Sequence, residues 1–121
     1  MIEIELNYPP SANRYWRCFR NRMVPSKEAM EFKRHVKNTV QASDYNLTVD
    51  ELMVIIELRP KLTVKGEASK TCIDIDNALK VVLDSLQGII YENDKQIKKI
   101  IAEYGYPVVN GGVKVKILKF Q

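Results

Sequence analysis

Soft metal ligands are scarce in this chain, which has two cysteines and one histidine among its 121 residues. Cys18 and Cys72 make no C-x-x-C pair and His35 has no partner at metal-ligand spacing, so a zinc site and a disulfide framework both lack ligands. Two reduced thiols are expected. No apolar run approaches the roughly 20 residues that a membrane-crossing helix needs, and no signal-peptide pattern opens the chain. A soluble, cytoplasmic chain that meets no membrane is therefore expected. Glycine-rich phosphate loops are absent as well, as are internal repeats and low-complexity tracts. If a metal is bound, carboxylates must hold it, which points to a hard cation, Mg²⁺ with Mn²⁺ as a possible substitute.

What is present suffices for one domain spanning 1–121, with 45% apolar residues to build a core. The net charge of +4 adds a modest preference for a polyanionic partner. Ile2, Ile4 and Leu6 alternate with polar residues as in a half-buried strand, which Pro9 and Pro10 end. Ser26 opens a helix over residues 26–42 with Met30, Phe32, Val36 and Val40 on its apolar side and lysines around the remainder. The β-branched run from Leu52 to Leu58 reads as a strand central in a sheet, and a basic, flexible loop with Lys61, Lys65 and Lys70 follows it. Residues 97–106 are ambiguous between helix and strand. Asn110-Gly111-Gly112 ahead of Val113, Val115 and Ile117 argues for two antiparallel strands there. The expected fold class is α+β: a single domain, one mixed β-sheet with helices packed on it.

The centre of the chain is Asp74-Ile75-Asp76-Asn77-Ala78-Leu79-Lys80. Leu79, Val82, Leu83 and Leu86 recur at i, i+3, i+4 and i+7, and Gly88 stands where a C′ residue belongs, so a helix is expected over 77–87. Asp76 is then its N-cap and Asp74 lies two residues earlier on an extended segment, where the two share a face. Side-by-side carboxylates repel and call for a positive group between them, which a divalent metal supplies. A cap plus a solvated neighbour explains the same pair equally well, whereas an EF-hand is excluded for want of its glycine and terminal glutamate. Lys80 pairs with Asp84 at i+4 on spacing alone. Past the helix, a turn returns Glu92 or Asp94 toward the same corner.

One further stretch carries chemistry. Residues 11–22 interleave Arg14, Arg17, Arg20 and Arg22 with Tyr15, Trp16 and Phe19 and have no apolar period, so an ordered loop or arm is expected. Arginine planes and aromatic faces grip phosphates and stack on exposed bases; the same residues also serve a loop that packs on its own core.

Taken together, Asp74-Ile75-Asp76-Asn77-Ala78-Leu79-Lys80, the later Asn93-Asp94-Lys95-Gln96 and the opening Pro9-Pro10-Ser11-Ala12-Asn13-Arg14-Tyr15-Trp16-Arg17 resemble the RusA family of Holliday-junction resolvases over nearly the whole chain. The resemblance implies that Asp74, Asp76 and Asp94 hold a catalytic Mg²⁺ and that Lys80 assists cleavage. It also implies a homodimer that makes paired symmetric nicks in branched, four-way DNA. From the chemistry of the arm and the basic loop, Asn13, Arg14, Tyr15, Arg17 and Lys70 are the residues expected to contact that DNA. A junction-binding module without cleavage and a metal-dependent hydrolase of smaller phosphate esters are the alternative classes.

Overall fold

The computed structural model describes residues 2–11 and 16–121. The alternating N-terminal residues form β1 (Ile2–Leu6), with Ile4 and Leu6 buried and Glu3 and Glu5 exposed. The expected arm is, over its described part, a two-stranded antiparallel ribbon of β2 (Trp16–Phe19) and β3 (Arg22–Pro25). Its loop residues Arg20 and Asn21 both have positive φ, 52° and 60°, as a two-residue type I′ hairpin requires. The sequence hides this ribbon because Arg-Asn replaces the usual Asn-Gly signal and none of its described side chains is buried.

Ser26 caps α1 (Lys27–Ala42), its hydroxyl accepting from Ala29 N–H at 3.1 Å. Ala29, Phe32, Val36 and Val40 form the buried stripe, and Met30, expected on it, is exposed. The central strand is β4 (Leu52–Arg59), whose burial alternates residue by residue. Then come α2 (Ile75–Leu86), β5 (Ile97–Tyr104) and β6 (Gly112–Lys119). The sheet order is β1-β6-β4-β5, mixed as expected: β4 pairs parallel with β5 and antiparallel with β6. β5 and β6 are thus not a hairpin. β4 lies between them, because residues 105–111 wrap the end of β4 through Gly105 N–H to Leu58 C=O (2.9 Å) and Val108 N–H to Pro60 C=O (3.0 Å).

The two helices pack on one face of this sheet. Phe32, Val36 and Val40 of α1, Val81, Val82 and Leu86 of α2, and the inward residues of β4 and β6 make the core, with Ile90 and Tyr91 closing one end. Each fully buried Val, Leu or Ile there contributes about 1.5–3 kcal/mol. On the opposite face Glu3 pairs with Lys114 at 2.9 Å, and Arg59 with Glu57 at 3.0 Å.

The consequence for function lies in the crossover β4–α2–β5. The N-terminus of α2 sits at the carboxyl ends of both parallel strands, the edge at which open α/β sheets bind ligands, and its C-terminus sits at the opposite edge.

Candidate active site

The helix starts two residues earlier than its periodicity suggests. Ile75 packs against the core and so joins the apolar face, which makes Asp74 the N-cap and puts Asp76 inside the first turn. The two aspartates are therefore not strand neighbours sharing a face; both project, exposed, from one helix end. The positive end of the helix dipole offsets part of their mutual repulsion. Asp74 has the extended backbone of an N-cap, φ −66° and ψ 148°, yet its side chain makes no capping hydrogen bond. A carboxylate in that position ordinarily folds back onto the first-turn N–H groups. Here it is left for another partner.

The backbone just before it is held from outside the helix. Tyr8, which follows β1, accepts from Ile73 N–H at 2.8 Å and donates to Cys72 Sγ at 3.4 Å. Tyr104, the last residue of β5, donates to Ile73 C=O at 3.2 Å. Burial, then the contact with Cys72, pushes the Tyr8 phenol up to about 12. The Tyr104 phenol is also raised, by burial first and then by the charges of Cys72, Asp74 and Asp76, while the backbone N–H of Ile75 acts in the other direction. The Tyr8 ring lies under Lys61 Nζ, 5.0 Å from its centroid, and against Gly111, where a Cβ would come within 2.5 Å of it. Sequence reasoning overlooked both tyrosines. The signal available was a hydroxyl-bearing aromatic at the end of each of two strands that finish beside the aspartates.

Lys80 is exposed and, one turn beyond Asp76 on the same side of α2, makes no ion pair among the described residues, either with Asp76 or with Asp84. Asp94 opens a 3-10 turn, Asp94–Gln96, that a reciprocal capping box builds. Asn93 Oδ1 accepts from Lys95 N–H at 2.8 Å, and Gln96 Oε1 accepts from the N–H groups of Glu92 and Asn93, each at 2.9 Å. Gln96 Nε2 then ties the turn to the carbonyls of Thr48 and Asp50, both at 2.9 Å. Asn93 and Gln96 are thus the frame, and Asp94 is the exposed side chain they present.

That frame stands at the far end of α2. Burial, then the charges of Asp94 and Asp84, raises the buried Tyr91 phenol, whose hydroxyl donates to Leu83 C=O near the helix C-terminus. The length of α2 or of β5, on the order of 20 Å, separates Asp94 from the Asp74 and Asp76 corner within one chain. Among the described residues no three His, Cys, Asp or Glu side chains gather in metal-ligand geometry.

Of the expected DNA contacts, Asn13, Arg14 and Tyr15 lie outside the described residues. Arg17 and Arg20 each set a guanidinium 5.2 Å from the centroid of the exposed Phe19 ring on the β2–β3 ribbon. Lys70 is exposed in the turn leading to the aspartates. The loop before it is closed by Thr63 N–H to Glu67 C=O (2.7 Å) and Ser69 N–H to Lys61 C=O (2.9 Å). A groove of about 670 Å³ is lined by Asn7, Tyr8 and Pro10 after β1, Phe32 of α1, and Lys61 and Thr71 at the two ends of the basic loop, among others.

Comparison with known proteins places the chain in a family. The family model of the endodeoxyribonuclease RusA matches residues 7–118. The chain belongs to the RusA family of Holliday-junction resolvases. It is 30% identical to the crossover junction endodeoxyribonuclease rusA of Enterobacteria phage HK97 over 117 residues, which are 96% of this chain and 92% of that relative. Membership in the RusA family makes it a DNA endonuclease, and a nuclease of that family implies a divalent metal. No helix of the described residues is long and apolar enough to cross a membrane. The chemistry of the side chains suits a hard cation: Asp74, Asp76 and Asp94 each expose carboxylate oxygens, and the Asp74 side chain makes no capping bond to its helix.

Proposed function

We propose that this RusA-family chain resolves four-way DNA junctions as a homodimer, with Mg²⁺, or Mn²⁺ in its place, held by Asp74 and Asp76 of one copy and Asp94 of the other. The observation that carries the reading is the start of α2, where two exposed carboxylates share one helix end and one of them caps nothing. When bound, the cation supplies an activated water and offsets charge on the phosphodiester oxygens. The chain's residues do the remaining work. Lys80, one turn along the helix, carries an ammonium that makes no ion pair among the described residues and is suited to neutralising charge on the phosphate under attack. Arg17, with Asn13, Arg14, Tyr15 and Lys70, holds the DNA by its backbone.

A second copy resolves the separation of Asp94 from its partners. β5 is an edge strand, and exposed Ile100, Ile101 and Tyr104 lie along it. Its register with β4 puts Lys99, Ile101 and Glu103 on one face and Ile100, Ala102 and Tyr104 on the other. Two β5 strands paired antiparallel about Ile101 would set each Lys99 against the other copy's Glu103 and each Ile100 against Ala102. Such a pairing covers the open edge and reverses direction, so the Asp94 end of one copy meets the Asp74 end of the other.

The test is a gel assay on a synthetic four-way junction and a matched linear duplex, with and without Mg²⁺. Paired nicks in the junction alone, only with metal, are expected. Tight junction binding without nicks at any metal concentration would leave a binding module, and equal cleavage of the linear duplex would refute junction selectivity.

A further inference from the structure

The backbone just before Asp74 is gripped by two phenols from distant parts of the chain. Ile73 N–H is bound by Tyr8 and Ile73 C=O by Tyr104, at 2.8 Å and 3.2 Å. Tyr8 follows β1 and Tyr104 ends β5, and Tyr8 also bonds Cys72, so two consecutive residues, Cys72 and Ile73, are tied to the sheet edge just ahead of Asp74. Asp74 itself contributes no side-chain bond to this start, and its carbonyl accepts the first helical bond, from Ala78 N–H at 3.0 Å.

We propose that Tyr8 and Tyr104 are positioning residues of the metal-dependent site: by holding the Ile73 N–H and C=O, one on each of the two peptide units that flank its Cα, they fix the backbone leading into Asp74 and leave its carboxylate to the cation. The proposal rests on the reading of Asp74 as a metal ligand. A phenol suits the task because a neutral hydroxyl adds no charge beside two aspartates. Tyr8 can donate and accept at once, which serine or threonine on a shorter stem could not do across the same gap. Without the clamp, the Asp74 carboxylate would turn onto its own first-turn N–H groups, and the cation would have to compete with that cap.

Tyr8→Phe and Tyr104→Phe keep the rings and remove the hydroxyls. Junction nicking over a Mg²⁺ series should need on the order of tenfold more metal for half-maximal rate in each, the lower end of what loss of an outer hydrogen-bond partner costs a metal ligand. Metal-free junction binding should be unchanged, and hydrogen exchange at Ile73 N–H should accelerate in Tyr8→Phe. Faster exchange with a wild-type Mg²⁺ requirement would make the clamp a prop of the fold and overturn the proposal. Unchanged exchange would remove the clamp itself. Asp74→Asn separates the two layers of inference: if it nicks with a wild-type Mg²⁺ dependence, the ligand reading fails and the proposal with it, whereas an inactive Asp74→Asn beside unaffected tyrosine variants sinks the proposal alone. Should Tyr8→Phe fail to fold, Tyr104→Phe, altering a half-exposed ring, decides the question.

Discussion

Mixing two dead variants tests whether the site is shared between copies. Asp74→Asn loses the helix-end ligand and Asp94→Asn the ligand at the far end of α2. On the shared-site reading each variant alone is inactive, because every site in its homodimer lacks one carboxylate. In a mixed dimer one site collects both lesions, and the other collects an intact Asp74 and Asp76 from the Asp94→Asn copy and an intact Asp94 from the Asp74→Asn copy. Random exchange at equal concentration makes half of the dimers mixed, each with one of two sites whole, so nicking should recover to about a quarter of the wild-type rate. The products should be singly nicked junctions with few resolved duplexes, since paired cuts need both sites. The assay is a denaturing gel of end-labelled strands, read beside a native gel for resolution. No recovery after subunit exchange, verified with a size-tagged copy, would refute the shared site.

Three further outcomes follow from particular contacts. Asp76→Asn should abolish nicking and preserve junction binding, with a stability loss limited to the dipole interaction of a first-turn carboxylate, about 0.3–1 kcal/mol; a variant that nicks at the wild-type rate removes Asp76 from the site. Gln96→Ala breaks the capping box and the ties to Thr48 and Asp50, so it should lower the melting temperature and weaken nicking, whereas Glu92→Gln, which keeps the backbone bond to Gln96, should change neither. His35 Nε2 accepts from Asn7 N–H at 2.9 Å, and burial lowers its pKa in the folded state, so its stabilisation is whole above the unfolded value of about 6.5 and is lost as pH falls through that value toward the folded one. Melting temperatures between pH 7.5 and 5 should therefore fall more steeply in wild type than in His35→Gln, and parallel curves would contradict the assignment.

The contacts also explain which parts of the molecule the sequence discloses. β1, α1 and β4 are legible because period and boundary agree locally: alternation ended by prolines, a serine cap, a β-branched run ended by Arg59-Pro60. The start of α2 is not, since two aspartates compete as caps and only the packing of Ile75 against a core assembled from other elements chooses Asp74. The hairpin expected near Asn110 fails for a related reason. A turn signal reports a reversal of direction but cannot report that β4 is inserted between the strands it joins. The three carboxylates are legible as a motif, whereas the distance of Asp94 from the other two depends on the parallel pairing of β4 and β5, which no local pattern encodes.

The division of labour inside each motif is the remaining step. Exposed charges are often unpaired, so the lack of partners at Asp74, Asp76, Lys80 and Asp94 among the described residues does not by itself mark them as chemical groups. Their surroundings are what support the proposed reading. Gln96 uses its oxygen twice and its nitrogen twice on backbone groups, and Asn93 spends its oxygen on Lys95 N–H, all to hold a turn whose outward side chain is Asp94. Tyr8 and Tyr104 bind the Ile73 N–H and C=O from outside the helix, so the backbone ahead of α2 is held without any bond from the Asp74 side chain. A surface aspartate needs no such support to stay in water. Two separate hydrogen-bonded frames, at opposite edges of one sheet, each ending in an uncommitted carboxylate, are what a metal site divided between two copies of the chain requires.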